Sequence, residues 1–367
     1  MTFRRGVELA LCYGLSACAG YLFSSLGLPL PWMIGPLIAT ALVGMVVKPV
    51  DIPTFTRPIG QVAVSAHVGL YFNAAALAAI VDHGLAILAV ALATAMIGFL
   101  LSGVLRRMTG TDPVTAFLAS MPGGPVEMGN LARQYGGDPG PVVFAQTLRI
   151  SAIVILVPAA LYYLLDQSRG RLPDAEIVLD FQGMALLAAG AAGTAAVFHL
   201  CRISNPFFLG PLAFSCVATV LGLPLAPFPH AVVAIAQILL GTWLGSTFRR
   251  ELFLNAGRLV VATTLTSMLL VALCTAFAAS LALVTELPWE ILVLGAAPGS
   301  ITEMALTARF LHEDVALITA FHLVRIFLII PNTPWLLALV HARAAPAPPS
   351  GRQDAPPSGR QDERGDP

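Results

Sequence analysis

The chain has 367 residues, of which 57% are hydrophobic and only 11% charged, with a mean hydropathy of +0.82 and zero formal net charge. A soluble domain carries about 25% charge, so a soluble multi-domain protein is excluded and a polytopic helical membrane protein is indicated. The balanced charge also offers no basic surface for nucleic acid.

The N-terminal MTFRR, followed by an apolar run and LSACAG (15–20), imitates a signal peptide with a cleavage or lipidation site. The apolar stretch continues past that site, so it reads as the first span. Further apolar segments follow at about 30–47, 58–80, 84–105, 113–133 and 139–165. After the polar stretch DQSRGRLPDAEIVLD come six more, at about 183–200, 206–224, 230–248, 258–284, 289–310 and 314–340. Each is near the roughly 20 residues that a helix needs to cross a bilayer. Five cysteines (12, 18, 201, 216 and 274) lie scattered in these segments with no CxxC or Cys/His spacing, which predicts small buried hydrophobes rather than disulfides or a metal site. The tail repeats APPSGRQD at 347–354 and 355–362, a composition that cannot bury a core and predicts disorder. The expected organisation is a membrane repeat over 1–165, a polar linker over 166–181, a second membrane repeat over 182–340 and a disordered tail over 341–367.

The two sets of six segments are copies. LPWMIGPL (30–37) matches NPFFLGPL (205–212), while Gln61, Gly69 and Phe72 match Gln237, Gly245 and Phe248. Residues 121–150 align without gaps on 297–326, with nine identities in thirty positions. Six of the nine are Pro, Gly or charged (Pro122/Pro298, Gly123/Gly299, Glu127/Glu303, Arg133/Arg309, Asp138/Asp314 and Arg149/Arg325), which shared apolar composition would not produce.

Lys and Arg in short loops favour the cytoplasm. If all twelve segments crossed, eight Lys/Arg of the loops and linker would lie inside and four outside. If each fifth segment instead dips in and returns, the halves are inverted and ten lie inside, with only Arg169 and Arg171 outside. The expected fold class is therefore an all-α integral membrane protein. It has two inverted repeats of about five transmembrane helices, each with a broken or re-entrant Pro/Gly-rich segment, and both termini in the cytoplasm.

The two breaks are MPGGPVEM (121–128) and APGSITEM (297–304). Irregular backbone at bilayer depth is tolerated only where it lines a cavity or is buried in protein, and paired breaks in corresponding places point to a transport site. Pro122 and Gly123 end one helix, and Pro125 suits the first turn of the next, so a half-helix should begin near 124–125. Pro298 and Gly299 do the same in the second copy, where Ser300 and Glu303 also form the S-I-T-E spacing of a capping box. Glu127 and Glu303 are thus either capping residues or ligands for a solute, proton or ion. Gly124 and Ser300 occupy the half-helix starts, where free N–H groups and the positive dipole end suit an anion. Arg149 and Arg325, each near the middle of an apolar segment, are expected to neutralise the glutamates, to hold an anionic substrate, or to lock the halves together. A central arginine costs about 2.5–3.5 kcal/mol on insertion scales and needs a partner. Gln146 and His322 lie one turn before the arginines on the same face. Gly35-Pro36 and Gly210-Pro211 read as kinks or close packing rather than ligands.

With PWMIGP, MPGGPVEM and APGSITEM in view, the chain resembles the bacterial AbrB-type membrane proteins over about residues 5–340. That family is defined by this internal duplication, also carries the label ammonia monooxygenase, and includes a member named for regulating gene expression. The resemblance implies an inner-membrane protein. By analogy with glutamate- and citrate-symporter architectures, the layout is similar to an inverted-repeat secondary transporter. The seven histidines are dispersed with no HxxH, ExxH or HExxH, so a metal monooxygenase is not expected. The function expected is H⁺- or Na⁺-coupled transport of a small, anionic or other polar, solute, with no catalytic residue, metal or cofactor. The alternative is a membrane sensor that affects gene expression indirectly. Expected partners are a small-molecule or ion substrate and the lipid bilayer, without nucleic acid; homo-oligomerisation stays open.

Overall fold

A computed structural model describes residues 3–164, 180–203, 205–248, 250 and 257–344. The 166–179 part of the polar linker, with Arg169 and Arg171, lies outside the described residues, as do Arg249 and the tail from 345 onward. Among the described residues there are fifteen α-helices and no strands. The first half contains α1 (Phe3–Ser25), α2 (Pro31–Leu42), α3 (Thr56–Gly69), α4 (Ala74–Asp82), α5 (Gly84–Thr109), α6 (Pro113–Ser120), α7 (Pro125–Gln134) and α8 (Pro139–Leu164). The second contains α9 (Phe181–Leu200), α10 (Pro206–Val220), α11 (His230–Ser246), α12 (Gly257–Ala282), α13 (Trp289–Ala296), α14 (Ile301–Phe310) and α15 (Val315–Ala344).

Six of these helices are long and apolar enough to cross a membrane, making this a multi-pass membrane protein. The second and third segments of each half depart from the expectation of a full-length span. Pro31–Val47, Pro206–Val220 and His230–Ser246 are shorter apolar helices. The segment expected at 58–80 is not one helix: α3 and α4 meet at 87°. The turn is dictated locally, because the Asn73 side chain accepts from the Ala76 N–H at 2.9 Å and starts a new helix. The final helix runs on to Ala344, past the boundary expected at 340.

Local chemistry explains the helix starts. Pro31 and Pro206 each occupy the first turn of their helix, behind Leu30 and Asn205, which both adopt left-handed backbone (φ 45° and 51°). Asp112, Asp180 and Asp314 accept from first-turn N–H groups of the helices they precede. Asp138, the counterpart of Asp314, accepts from Gly140 at 2.9 Å. The matched aspartates thus start the two helices that carry Arg149 and Arg325.

Packing repeats between the halves. α1 packs on α2 as α9 packs on α10; α2 on α11 as α10 on α3; α5 on α15 as α12 on α8. α3 meets α11, and α5 meets α12. The small residues of the PWMIGP motif explain two of these contacts. A Cβ on Gly35 would stand 2.7 Å from the Ala19 carbonyl, and one on Gly210 would stand 2.7 Å from the Thr194 carbonyl. Gly245 likewise lets α11 lie against the Leu37 carbonyl, and Gly69 lets α3 lie against Ser215. The Gly35-Pro36 and Gly210-Pro211 pairs are packing elements, as expected.

These contacts sort the helices into two bundles. One holds α1–α3 and α9–α11, the first three helices of each half. The other holds α5–α8 and α12–α15, and includes both breaks. Few helix pairs join them, chiefly α3 with α14 and α15 and α2 with α8, while α4 rests on α5 and α15. The Arg258 Nε donates to the Met108 carbonyl, so the start of α12 lies beside the end of α5.

Candidate functional site

The breaks fall where the sequence places them. α6 ends at Ser120, Met121–Gly124 is non-helical, and α7 begins at Pro125 with Gly124 as its N-cap. α13 ends at Ala296 and α14 begins at Ile301 with Ser300 as its N-cap. The glycine and the methionine of each motif are one device. A Cβ on Gly123 would collide with the Met128 side chain, and one on Gly299 would stand 3.2 Å from that of Met304. Both methionines are fully buried, folding back across the break they follow.

The capping box is incomplete, although the Glu303 carboxyl lies against the Ser300 side chain and its own backbone N–H. Ser300 makes no side-chain cap hydrogen bond, and the Oε2 atoms of both Glu127 and Glu303 are buried without a partner. The Glu127 carboxyl folds back over Gly124, where any Cβ would strike it.

The arginines do something other than neutralise these glutamates. Arg149 is 2% exposed and donates to the carbonyls of Ser120 (3.2 Å) and Met121 (3.3 Å) and to the Gln146 side-chain oxygen. The Gln146 amide donates to the carbonyls of Leu118 and Met121 at 2.7 and 2.8 Å. Arg325 repeats the pattern, donating at 2.8 Å to the carbonyls of Ala297 and Gly299 and to His322 Nδ1. His322 donates from Nε2 to the Leu294 carbonyl at 3.0 Å, which puts its proton on Nε2. The last carbonyls of a helix have no acceptor duty inside it and carry the negative dipole end. Each arginine, with its polar neighbour one turn away, therefore closes the C-terminal end of a half-helix that would otherwise leave carbonyls bare in an apolar interior. Neither arginine forms an ion pair with Glu127 or Glu303 within the described residues.

Both breaks line one cavity of about 50 Å³ at the junction of the two bundles. Of the residues singled out by sequence, Pro122, Gly123, Gly124, Glu127, Gly299, Ser300, Glu303 and Arg325 border it. Gln146, Arg149, Pro298 and His322 do not; the three polar ones sit behind the wall, holding the half-helix ends. The facing bundle contributes Arg57, Gln61, Asn205 and Trp243, with the Arg57 guanidinium 4.4 Å from the Trp243 ring centre.

A vestibule of about 870 Å³ adjoins the cavity, sharing Arg57, Gln61, Glu127, Asn205 and Trp243 with it. Glu127, Asn130 and Gln134 form a polar stripe along α7 at helical spacing in its wall. The corresponding positions on α14 are Glu303, Leu306 and Phe310; Glu303 is only 9% exposed and Leu306 3%. The site is open along one half-helix and closed along the other. The inequality between Asn130 and its apolar counterpart Leu306 is what distinguishes the open side. Arg57 and Trp243 were missed. Arg57 was legible only as a loop charge, and Trp243 carried no signal beyond lying six residues after Gln237.

The profile of the family described as "Transition state regulatory protein AbrB" matches residues 32–341. The chain belongs to the AbrB family. Two AbrB relatives cover nearly all of it. "Uncharacterized protein YhjN" of Bacillus subtilis (strain 168) is 26% identical over 356 residues, covering 89% of this chain and 91% of its own length. "Putative regulator AbrB" of Escherichia coli (strain K12) is 24% identical over 329 residues, covering 88% of this chain and 93% of its own length. No solved structure gives a significant match.

Proposed function

We propose that this AbrB-family protein is a secondary transporter of a small polar solute in the bacterial inner membrane, coupled to H⁺ or Na⁺, and not an enzyme. The observation that carries this reading is the cavity that joins both helix breaks and opens into a vestibule along α7 alone. Half-helix starts facing a buried cavity are suited to holding and releasing a polar guest. Glu127 and Glu303 are the candidate ion carriers, since each lines the cavity and keeps one oxygen without a partner.

The two halves lie inverted in the membrane. Two observations support this: the Lys/Arg distribution of the loops, and the contact of Arg258 with Met108, which brings the start of α12 to the end of α5 as antiparallel counterparts require. In this reading the positively charged loops lie inside, and the vestibule, which Arg57 and Arg202 line, faces the cytoplasm. Alternating access then moves the bundle with the breaks against the bundle of α1–α3 and α9–α11. Each moving part is built from both repeats, rather than one repeat sliding past the other.

Reconstitution in liposomes tests the proposal. Solute accumulation should follow an imposed H⁺ or Na⁺ gradient, and Glu127→Gln or Glu303→Gln should abolish coupling. Unaltered flux with lowered stability in both variants would return the glutamates to a capping role. A second reading, a membrane sensor acting indirectly on gene expression, draws on the printed name of the E. coli relative. It requires ligand binding without flux.

A further inference from the structure

The charges lining the cavity name a substrate class. Four ionisable side chains border it: Arg57, Arg325, Glu127 and Glu303. Arg325 has both terminal nitrogens engaged by the Ala297 and Gly299 carbonyls at the negative end of α13, with only its Nε unpartnered. One cation and two carboxylates remain, together with the first-turn N–H groups of α7 and α14, which have no acceptor within their helices.

Each simple ligand leaves part of this set unanswered. A small anion would satisfy Arg57 and the N–H groups but leave two carboxylates beside it, the buried Glu303 and the half-buried Glu127. An organic cation would satisfy a carboxylate but bring no negative charge to Arg57 or to the two half-helix starts. An uncompensated charge in such a site is strongly unfavourable. A ligand carrying both charges matches the set, and it leaves one carboxylate for a coupling cation.

We infer that the cavity between the two breaks binds a small zwitterion of the amino-acid type, its carboxylate on Arg57 and the α7 start and its ammonium on Glu303. Glu303 takes the ammonium because it borders the cavity and not the vestibule, and it is 9% exposed with Oε2 unpartnered. Glu127 borders both spaces, so a coupling ion reaches it directly from the vestibule. A cavity of about 50 Å³ admits a ligand of a few heavy atoms, which favours the smallest members of the class.

The inference rests on the transporter reading for its purpose but not for its test. Three near-isosteric probes separate the charges: L-alanine, propionate (alanine without the ammonium) and ethylamine (alanine without the carboxylate). Binding to the purified full-length protein is read by thermal shift and calorimetry, and flux by uptake of labelled probes into liposomes. L-Alanine should bind at least tenfold more tightly than either single-charge probe. Glu303→Gln should weaken alanine at least tenfold while leaving propionate unchanged or improved, and Arg57→Gln should weaken both. Arg57→Lys should restore part of the affinity, which separates a lost charge from a misfolded site. Alanine binding without flux would uphold the site and end the transporter reading. Propionate or ethylamine binding as well as alanine, or no binding of alanine, would overturn the zwitterion assignment, even if another solute moved.

Discussion

Arg325 donates to the carbonyl of Gly299 at 2.8 Å, across the break that separates α13 from α14. One side chain thereby holds two half-helices in register and closes a carbonyl end in a largely apolar interior. Arg149 performs the corresponding task for α6. Arg149 holds the wall from behind the cavity, while Arg325 both holds the wall and borders the cavity.

The arginines should accordingly matter more for stability than the glutamates. Arg149→Gln or Arg325→Gln should lower stability in detergent by about 2–4 kcal/mol, the scale of lost charged hydrogen bonds plus bare carbonyls. Glu303→Gln, which removes no hydrogen bond of its Oε2, should change it far less. Thermal unfolding of the purified variants measures the difference, and equal losses in all three would refute this division of roles.

Helix approach at the glycines should be intolerant of size. Gly245→Leu would drive a side chain into the Leu37 backbone, and Gly69→Leu would meet Ser215. Each should cost at least the roughly 1–3 kcal/mol of overpacking and reduce the monodisperse yield. Gly14 has nothing within 4 Å of a Cβ, so Gly14→Ala should be neutral or slightly stabilising.

Solvent access should be one-sided. In a cysteine-free background, a cysteine at Asn130 should react with a membrane-impermeant reagent from the cytoplasm. One at Leu306, the counterpart on α14, should stay unreactive in the resting state. Cysteines at Arg106 and Arg250 should label from that same face; reactivity from opposite faces would end the inverted topology.

Trp243 should tune solute affinity through Arg57. Removing the ring in Trp243→Leu deletes a cation–π contact worth about 0.5–2 kcal/mol. The half-saturation concentration for transport should rise roughly 2- to 30-fold with little change in folding. An unchanged value would place Arg57 outside the solute path.

The membrane class, the duplication, the position of both breaks and the start of α7 near 124–125 were all legible in the sequence. Each follows from local chemistry: proline and glycine interrupt a helix wherever they stand, and a matched run of such residues identifies a copy whatever its surroundings. The identities Gly123/Gly299 and Met128/Met304 were visible too, though their meaning as one packed device was not. The tertiary structure decided what those residues touch. It sent Arg149 and Arg325 to helix ends instead of Glu127 and Glu303, mixed both repeats into each bundle, bent the third segment at Asn73 and brought Arg57 and Trp243 to the cavity. A side chain's type determines what partner it requires in an apolar medium, but several carbonyls and carboxylates can meet the requirement of one guanidinium. Only the folded chain, by bringing one of them within 3 Å, makes the choice.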